Sequence, residues 1–267
     1  MVNAAAIYDM QVSFGLLVDE DPATYIAQLS QLQLLLIKIA ESATPQKLTS
    51  TIHSVVVGNE AVSKHILTMA VLFTKFQQVR DVLGAHGMTN VKVTTAEVAK
   101  TYASWPLIDK VDFVLLNLPV FMAKTSVLSS TSLVWSQYDQ TFQNVNGRKA
   151  ITIGEVGWPS RGATRDGSAD SPSVVNARYF LHAFVCEANQ RGVEYFYHEA
   201  FNSPWKAAIA GADGAESYWG LFDVTETTKI IKPFVAEALV CNSRPEAPRV
   251  PPIGQKGGAG CSGWTWC

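Results

Sequence analysis

The sequence predicts an α/β fold in which strand–helix units repeat around a parallel barrel, and three observations predict it. First, short runs of β-branched residues such as Val55–Val57 and Ile151–Ile153 recur along the chain, and such residues suit buried strands. Second, segments between these runs carry apolar residues at helical spacing, as in the stripe from Tyr25 to Ile39. Third, the 267 residues are 48% hydrophobic, and a barrel of this kind uses about 250 residues as one domain.

Six strands are predicted, most of them followed by a helical segment. The first helix has a clear start, because Asp21 is a capping residue and Pro22 takes the first helical position. A helix over 173–190 is expected to close at Gly192, since glycine commonly ends helices. Segment 129–142 is expected to be a polar loop or the start of a helix, with Trp135 either in the core or facing a ligand. The strands are predicted to begin near Met10, His53, Val91, Val111, Ala150 and Val193.

The composition argues against several classes of protein. With 23 acidic and 21 basic residues the net charge is −2, and no basic run suggests a nucleic-acid partner. Apolar runs such as 66–73 are shorter than the roughly 20 residues that cross a bilayer, so no membrane partner is expected. Segment 1–8 lacks the basic start and long apolar stretch of a secretory signal. The chain shows no metal-site spacing, and its four cysteines permit disulfides without fixing their pairing, these being Cys186, Cys241, Cys261 and Cys267.

The stretch AITIGEVGWPSR, 150–161, places a carboxylate where a buried strand meets a turn. Gly154 lets the backbone approach a neighbour closely, and Glu155 follows it at once. A charge in such a position is costly unless it is paired or used in chemistry. One interpretation is therefore an ion pair with an arginine near the strand end, and the other is a catalytic carboxylate.

A second stretch, HSVVVGNEAV at 53–62, has the same form and ends in Glu60. The two acids lie 95 positions apart, which is about three strand–helix units around a barrel. Strands that far apart in a closed barrel face each other across its mouth. Two carboxylates facing across a cleft are the groups that glycoside hydrolysis needs.

These two motifs resemble the signatures of glycoside hydrolase family 17, the β-1,3-glucanases, and are most similar to its fungal and oomycete branch. GEVGWPS resembles the nucleophile strand and VVVGNEAV the acid/base strand, and the resemblance runs from about Met10 to about Val240. It implies a (β/α)8 TIM-barrel fold and retaining hydrolysis of β-1,3-glucan, with Glu155 as nucleophile and Glu60 as acid/base. It also implies a polysaccharide or oligosaccharide substrate, a secreted or cell-wall enzyme, a monomer when the barrel is complete, and no cofactor.

The resemblance also assigns residues around the substrate. Asn59 would hydrogen-bond the sugar 2-hydroxyl, and Asn117 would bond either a sugar or a catalytic glutamate, or else be a satisfied core amide. Glu97, in a TAE element that the family carries near the cleft, is expected to be structural or to support the residues that touch substrate, the alternative being a direct functional role. Asn202 stands where the family usually has Asp. The remaining predicted subsite residues, whose tryptophans could alternatively be core, are Trp158, Glu199, Trp205, Lys206, Glu216 and Trp219.

The resemblance aligns MQVSFGLLV, 10–18, with the family's third strand. We therefore expect residues 1–243 to form a barrel domain that lacks the first two strands, with about six recognisable βα units and Ala6–Asp9 as a remnant of the second. A Pro- and Gly-rich tail is predicted over 244–267. Two alternatives to hydrolysis stay open, a β-1,3-glucanosyltransferase and a non-catalytic glucan-binding or cell-wall protein.

Overall fold

Six parallel strands in sequence order form the main sheet of the protein. The computed structural model describes residues 1–19, 21–103, 105–163, 170–210, 214–224 and 229–241. A two-stranded antiparallel sheet follows the main one. The strands are β1 (Val12–Leu16), β2 (Ile52–Asn59), β3 (Lys92–Val98), β4 (Val114–Asn117), β5 (Ile151–Val156), β6 (Tyr195–Tyr197), β7 (Phe222–Val224) and β8 (Lys229–Ile231).

The helices alternate with the strands of the main sheet. Short 3₁₀ turns add to them at Val120–Ala123, Pro204–Lys206 and Ala215–Ser217. The α-helices are α1 (Val2–Ile7), α2 (Pro22–Ala40), α3 (Pro45–Thr51), α4 (Met69–Ala85), α5 (Ala99–Tyr102), α6 (Trp105–Lys110), α7 (Val127–Val145), α8 (Val174–Arg191), α9 (Ala207–Ala210) and α10 (Pro233–Ala238). None of these described helices is long and apolar enough to cross a membrane.

The sheet curls as part of a barrel and does not close on itself within the described residues. Each strand pairs with its sequence neighbour, and β1 and β6 stand at the two edges. The strand residues Val55, Val57 and Ile153 are wholly buried. They share one hydrophobic core with Leu72 of α4 and Phe184 of α8. The predicted α/β barrel-type fold with six recognisable βα units is confirmed, and all six strands begin within about three residues of their predicted starts.

Local sequence signals set the helix ends as predicted. The Asp21 carboxylate accepts a hydrogen bond from the Ala23 amide at 2.9 Å, and Pro22 is the first residue of α2. Gly192 ends α8 with φ +65°. The segment 129–142 is neither a loop nor only a helix start, because it lies inside α7, which buries Trp135 against Phe184. Trp135 is therefore a core residue.

Two further expectations have definite outcomes. The predicted strand remnant at Ala6–Asp9 is wrong, since Val2–Ile7 is a helix that packs on α3. Cys186 and Cys241 form a disulfide with their Cα atoms 5.3 Å apart, joining α8 to the residues after α10. Residues 242–267, with Cys261, Cys267 and the predicted tail, lie outside the described residues.

Candidate active site

Polar side chains gather where β2, β4, β5 and β6 end. Glu60 follows β2, Asn117 is the last residue of β4, Glu155 lies near the end of β5, and His198 follows β6. All four strands are parallel, so their carboxyl ends meet at one rim of the curled sheet. Catalytic groups of barrel enzymes occupy this rim. The structure thus brings together the two acids that the sequence placed 95 positions apart.

Asn117 is the central residue of this site and is 1% exposed. Its Nδ2 atom lies 3.0 Å from Glu60 Oε1, 3.4 Å from Glu155 Oε2 and 2.7 Å from Asn59 Oδ1. Three oxygens around one nitrogen fix the orientation of the amide, because a flipped group would set its carbonyl oxygen against them. A single buried amide therefore holds both candidate catalytic carboxylates.

The shared nitrogen limits the distance between the two acids. Glu60 Oε1 and Glu155 Oε2 are no more than about 6.4 Å apart, the sum of their distances to Asn117 Nδ2. Carboxyl groups of inverting glycosidases stand roughly 6.5–9.5 Å apart, and those of retaining enzymes about 5–5.5 Å. The two carboxylates thus lie close enough to act on one glycosidic bond.

The two carboxylates have different surroundings. The Glu60 side chain is 14% exposed and forms an ion pair with Lys64, whose Nζ lies 3.0 Å from Oε2. The Glu155 side chain is 31% exposed, with Asn59 Nδ2 3.5 Å from Oε2 and His198 Nδ1 3.8 Å from Oε1. Glu155 is thus the more open of the two and faces a histidine from the neighbouring strand.

Gly154 leaves room for the central amide. A Cβ atom there would stand 2.8 Å from Asn117 Oδ1 and 2.8 Å from Leu115 Cγ. Both contacts are closer than carbon normally approaches, and both neighbours are buried. The sequence predicted that a neighbouring group approaches Gly154 closely, and in the structure that group is the side-chain amide of Asn117.

Two of the predicted sugar-contact residues are buried. Trp158 is 1% exposed and packs against Phe121 and Phe180, with ring centroids 5.0 and 5.8 Å away. Trp219 is 5% exposed and packs edge-on against Phe121. Both tryptophans therefore pack into the core, and the Trp219 ring also lies 5.4 Å from the ring of His198.

Trp205 and the residues beside it lie differently. Trp205 is 65% exposed, and its ring is free of the core. Lys206 Nζ lies 3.3 Å from both carboxylate oxygens of Glu199, and the two side chains are 20% and 22% exposed. Glu216, in a 3₁₀ turn, is partly buried. All four side chains are at least partly exposed.

Asn202, the departure from the family pattern, belongs to a polar cluster around the buried side chain of Lys232. Lys232 is 5% exposed, and its Nζ donates to Ser160 Oγ at 2.7 Å and to Asn202 Oδ1 at 3.0 Å. Asn202 Nδ2 in turn donates to Asp223 Oδ1 at 2.6 Å. Burial lowers the pKa of Lys232, and the nearby Asp223 carboxylate opposes this shift.

Sequence reasoning missed Lys64 and His198. Lys64 stands four residues after Glu60, a spacing at which side chains meet on a helical turn, and that signal could have found it. His198 lies directly before Glu199 at the end of β6, but its approach to Glu155 depends on strand pairing. Within the described residues no group of three His, Cys, Asp or Glu side chains is placed to hold a metal ion.

Comparisons with known proteins identify the family of this chain. Residues 1–220 match the family model of the BtgE/BtgC glycoside hydrolase domain. A "Glucan 1,3-beta-glucosidase" of Saccharomyces cerevisiae is 28% identical over 223 residues, covering 78% of this chain and 68% of that protein. The "Glucan endo-1,3-beta-glucosidase btgC" of Emericella nidulans is 28% identical over 240 residues, covering 83% of this chain but 35% of that longer protein.

A solved structure shows the same fold. The glycoside hydrolase family 17 β-1,3-glucanosyltransferase of Rhizomucor miehei superposes with a TM-score of 0.72 at 24% identity, over 88% of this chain and 79% of that one. At this identity the likeness concerns the fold. The family match covers most of the chain and confirms the predicted resemblance. The chain therefore belongs to the BtgE/BtgC glycoside hydrolase domain family.

Proposed function

We propose that this glycoside hydrolase cleaves β-1,3-glucan with retention of anomeric configuration, using Glu155 as nucleophile and Glu60 as acid/base. The observation that carries the proposal is the pair of carboxylates held by the Asn117 amide, with Glu60 Oε1 and Glu155 Oε2 no more than about 6.4 Å apart. The substrate class is supported by the names of the fungal relatives, which are glucan 1,3-β-glucosidases. A secreted or wall-bound location would suit that substrate.

In the first step Glu155 attacks the anomeric carbon, and the bond from that carbon to the leaving oxygen breaks. Protonated Glu60 gives its proton to the leaving oxygen, so the departing sugar leaves as a neutral alcohol. Glu155 is suited to attack because it is the more exposed carboxylate. Asn117 keeps both acids aligned along the scissile bond, and such alignment contributes much of the rate gain in enzymes.

In the second step water replaces the departed sugar. Glu60, now ionised, takes a proton from the water, whose oxygen attacks the anomeric carbon and displaces Glu155. Both carboxyl groups return to their starting protonation states. Two displacements at one carbon restore its configuration.

Other residues would bind the sugars around this centre. Asn59 lies beside Glu155 and would hydrogen-bond the 2-hydroxyl of the sugar that reacts. The exposed ring of Trp205 offers an apolar face to another sugar. Glu199 and Lys206 form an ion pair whose remaining hydrogen-bonding capacity suits hydroxyl groups, and Glu216 would add another acceptor.

The test uses Glu155→Ala with laminarin as substrate. Hydrolysis should be lost, and added azide should restore part of the turnover and yield a glycosyl azide of inverted configuration, because the small anion enters the space that the carboxylate leaves. Glu194→Ala is the control. Glu194 accepts a hydrogen bond from Thr152, which lies on β5 like Glu155, and this variant should keep its activity. Undiminished hydrolysis by the Glu155 variant would refute the nucleophile assignment.

Product analysis separates hydrolysis from the two alternatives. A glucanosyltransferase would use the same two carboxylates, with a sugar hydroxyl in place of water, and would form products longer than the donor oligosaccharide. A non-catalytic glucan-binding protein would bind laminarin without changing it. We expect new reducing ends to accumulate with little chain lengthening.

A further inference from the structure

Glu97 is a wholly buried carboxylate at the end of β3, with 0% exposure. Its Oε1 accepts a hydrogen bond from the Val62 amide at 2.8 Å, and its Oε2 lies 3.3 Å from the Ser63 amide. Both donors belong to the turn that directly follows Glu60. The carboxylate thus reaches from one strand to the turn after its neighbour.

This turn sets the direction of the Glu60 side chain. Glu60 has φ +57°, in the left-handed region that residues other than glycine rarely adopt. Its amide donates to Ala96 O at 2.8 Å, and its carbonyl oxygen accepts from Ser63 Oγ at 3.1 Å. A backbone in this region persists where surrounding contacts hold it. The residues on both sides of Glu60 are therefore fixed by β3, through Ala96 before the turn and Glu97 within it.

We propose that Glu97 is a positioning residue for the acid/base Glu60, acting through the backbone of the 60–63 turn. The inference rests on the proposed function, because it assigns Glu97 to the proton transfers made by Glu60 and not to nucleophilic attack by Glu155. In the part of the chain that the structure describes, the Glu97 carboxylate bonds to the Val62 and Ser63 amides and not to Glu155, whose position comes from β5, Asn117 and Asn59. Loss of the Glu97 contacts should therefore disturb proton donation and spare nucleophilic attack.

The chemistry of the site calls for a carboxylate. Two backbone N–H groups point at two oxygens, and a buried donor without an acceptor is costly. Glutamine has the same shape but only one acceptor oxygen, so one amide in Glu97→Gln would face an NH₂ group. The substitution keeps the volume of the core and removes one anchor of the turn.

The experiment compares two substrates that differ in their need for an acid. Laminarin has a poor leaving group and needs protonation, whereas dinitrophenyl β-laminaribioside needs little. Glu97→Gln should lower kcat/KM on laminarin at least about tenfold, as a misplaced catalytic group does, and lower kcat/KM on the aryl substrate much less, because kcat/KM reports the steps up to departure of the leaving group. In a Glu60→Ala background the Glu97 substitution should cost no further laminarin activity. Equal losses on both substrates, or a full further loss in that background, would overturn the proposal.

Asp112→Asn is the matched control. Asp112 Oδ2 accepts from the Val93 amide at 2.6 Å, so it also joins a carboxylate to a backbone amide, but at the opposite end of β3. Its loss should lower Tm and leave the ratio of the two activities unchanged. If Asp112→Asn changes that ratio as Glu97→Gln does, the effect comes from general loosening of the sheet and the positioning role fails.

Two further readouts separate this inference from the proposed function. Equal losses of Glu60→Ala on the two substrates would refute the acid role of Glu60 itself. With that role supported, an unchanged ratio in Glu97→Gln refutes only the role of Glu97. Amide hydrogen exchange at Val62 and Ser63 needs no activity, and it should become faster in Glu97→Gln but not in Asp112→Asn. Unchanged exchange would overturn the positioning role.

Discussion

Gly154→Ala tests whether the central amide needs the space that this glycine provides. The added methyl group would stand 2.8 Å from Asn117 Oδ1 and within 3.1 Å of two Leu115 carbons. Leu115 is 4% exposed and Asn117 is 1% exposed, so neither can move out into solvent. The amide must shift, and its Nδ2 atom then leaves the oxygens of Glu60 and Glu155.

The size of the effect follows from these contacts. Overpacking of a filled site costs about 1–3 kcal/mol of stability. Weakening a hydrogen bond to a charged group costs about 1.5–3 kcal/mol, and if that loss falls on the transition state the rate drops about tenfold to a hundredfold. Thermal unfolding and kcat/KM on laminarin measure the two effects in the same preparation.

Gly84→Ala is the control for the same chemical change. No atom lies within 4 Å of a Cβ built on Gly84, which is inside α4. Alanine favours helices over glycine by about 1 kcal/mol, so this variant should be slightly more stable and fully active. A Gly154 variant as stable and active as the wild type would show that Asn117 is not wedged between its neighbours, and the account of the site would be wrong.

Two further predictions concern charge. Burial lowers the pKa of His53 below 6.5, and the Lys92 ammonium adds to this shift while the Glu194 carboxylate opposes it. Below pH 6.5 the unfolded chain therefore binds a proton at His53 more readily than the folded chain does. The free energy of unfolding should fall as the pH drops through 6.5. His53→Asn should therefore lose less Tm between pH 7 and pH 5 than the wild type, and an identical slope would contradict this. Asn202→Asp places a carboxylate next to Asp223, across the present 2.6 Å contact, and next to Lys232 Nζ, which lies 3.0 Å from Asn202 Oδ1. Adding Asp223→Asn removes the repulsion and keeps the pair with Lys232, so the double variant should have a higher Tm than Asn202→Asp alone; an unchanged or lower Tm would contradict this pairing.

The sequence by itself determined the order of the strands and the two carboxylates at their ends. Apolar periodicity, the Asp21 cap and the Gly192 stop are local signals, and each acts through backbone bonds within a few residues. The motifs around Glu60 and Glu155 identified the family, because each motif is one short continuous stretch of the sequence. The full length of α7 could not be predicted from the sequence, because the segment contains many polar residues. Its buried face packs against α8, and that contact forms only in the tertiary structure.

The tertiary structure decided which side chains meet. Trp158 and Trp205 have the same chemistry, yet one is 1% exposed and the other 65%, and only packing against Phe121 and Phe180 distinguishes them. The Asn117 amide between two acids and the Glu97 carboxylate under the Glu60 turn each join residues on different strands. Burial and cross-strand hydrogen bonds depend on the distance between residues far apart in the chain, and that distance exists only once the sheet has formed.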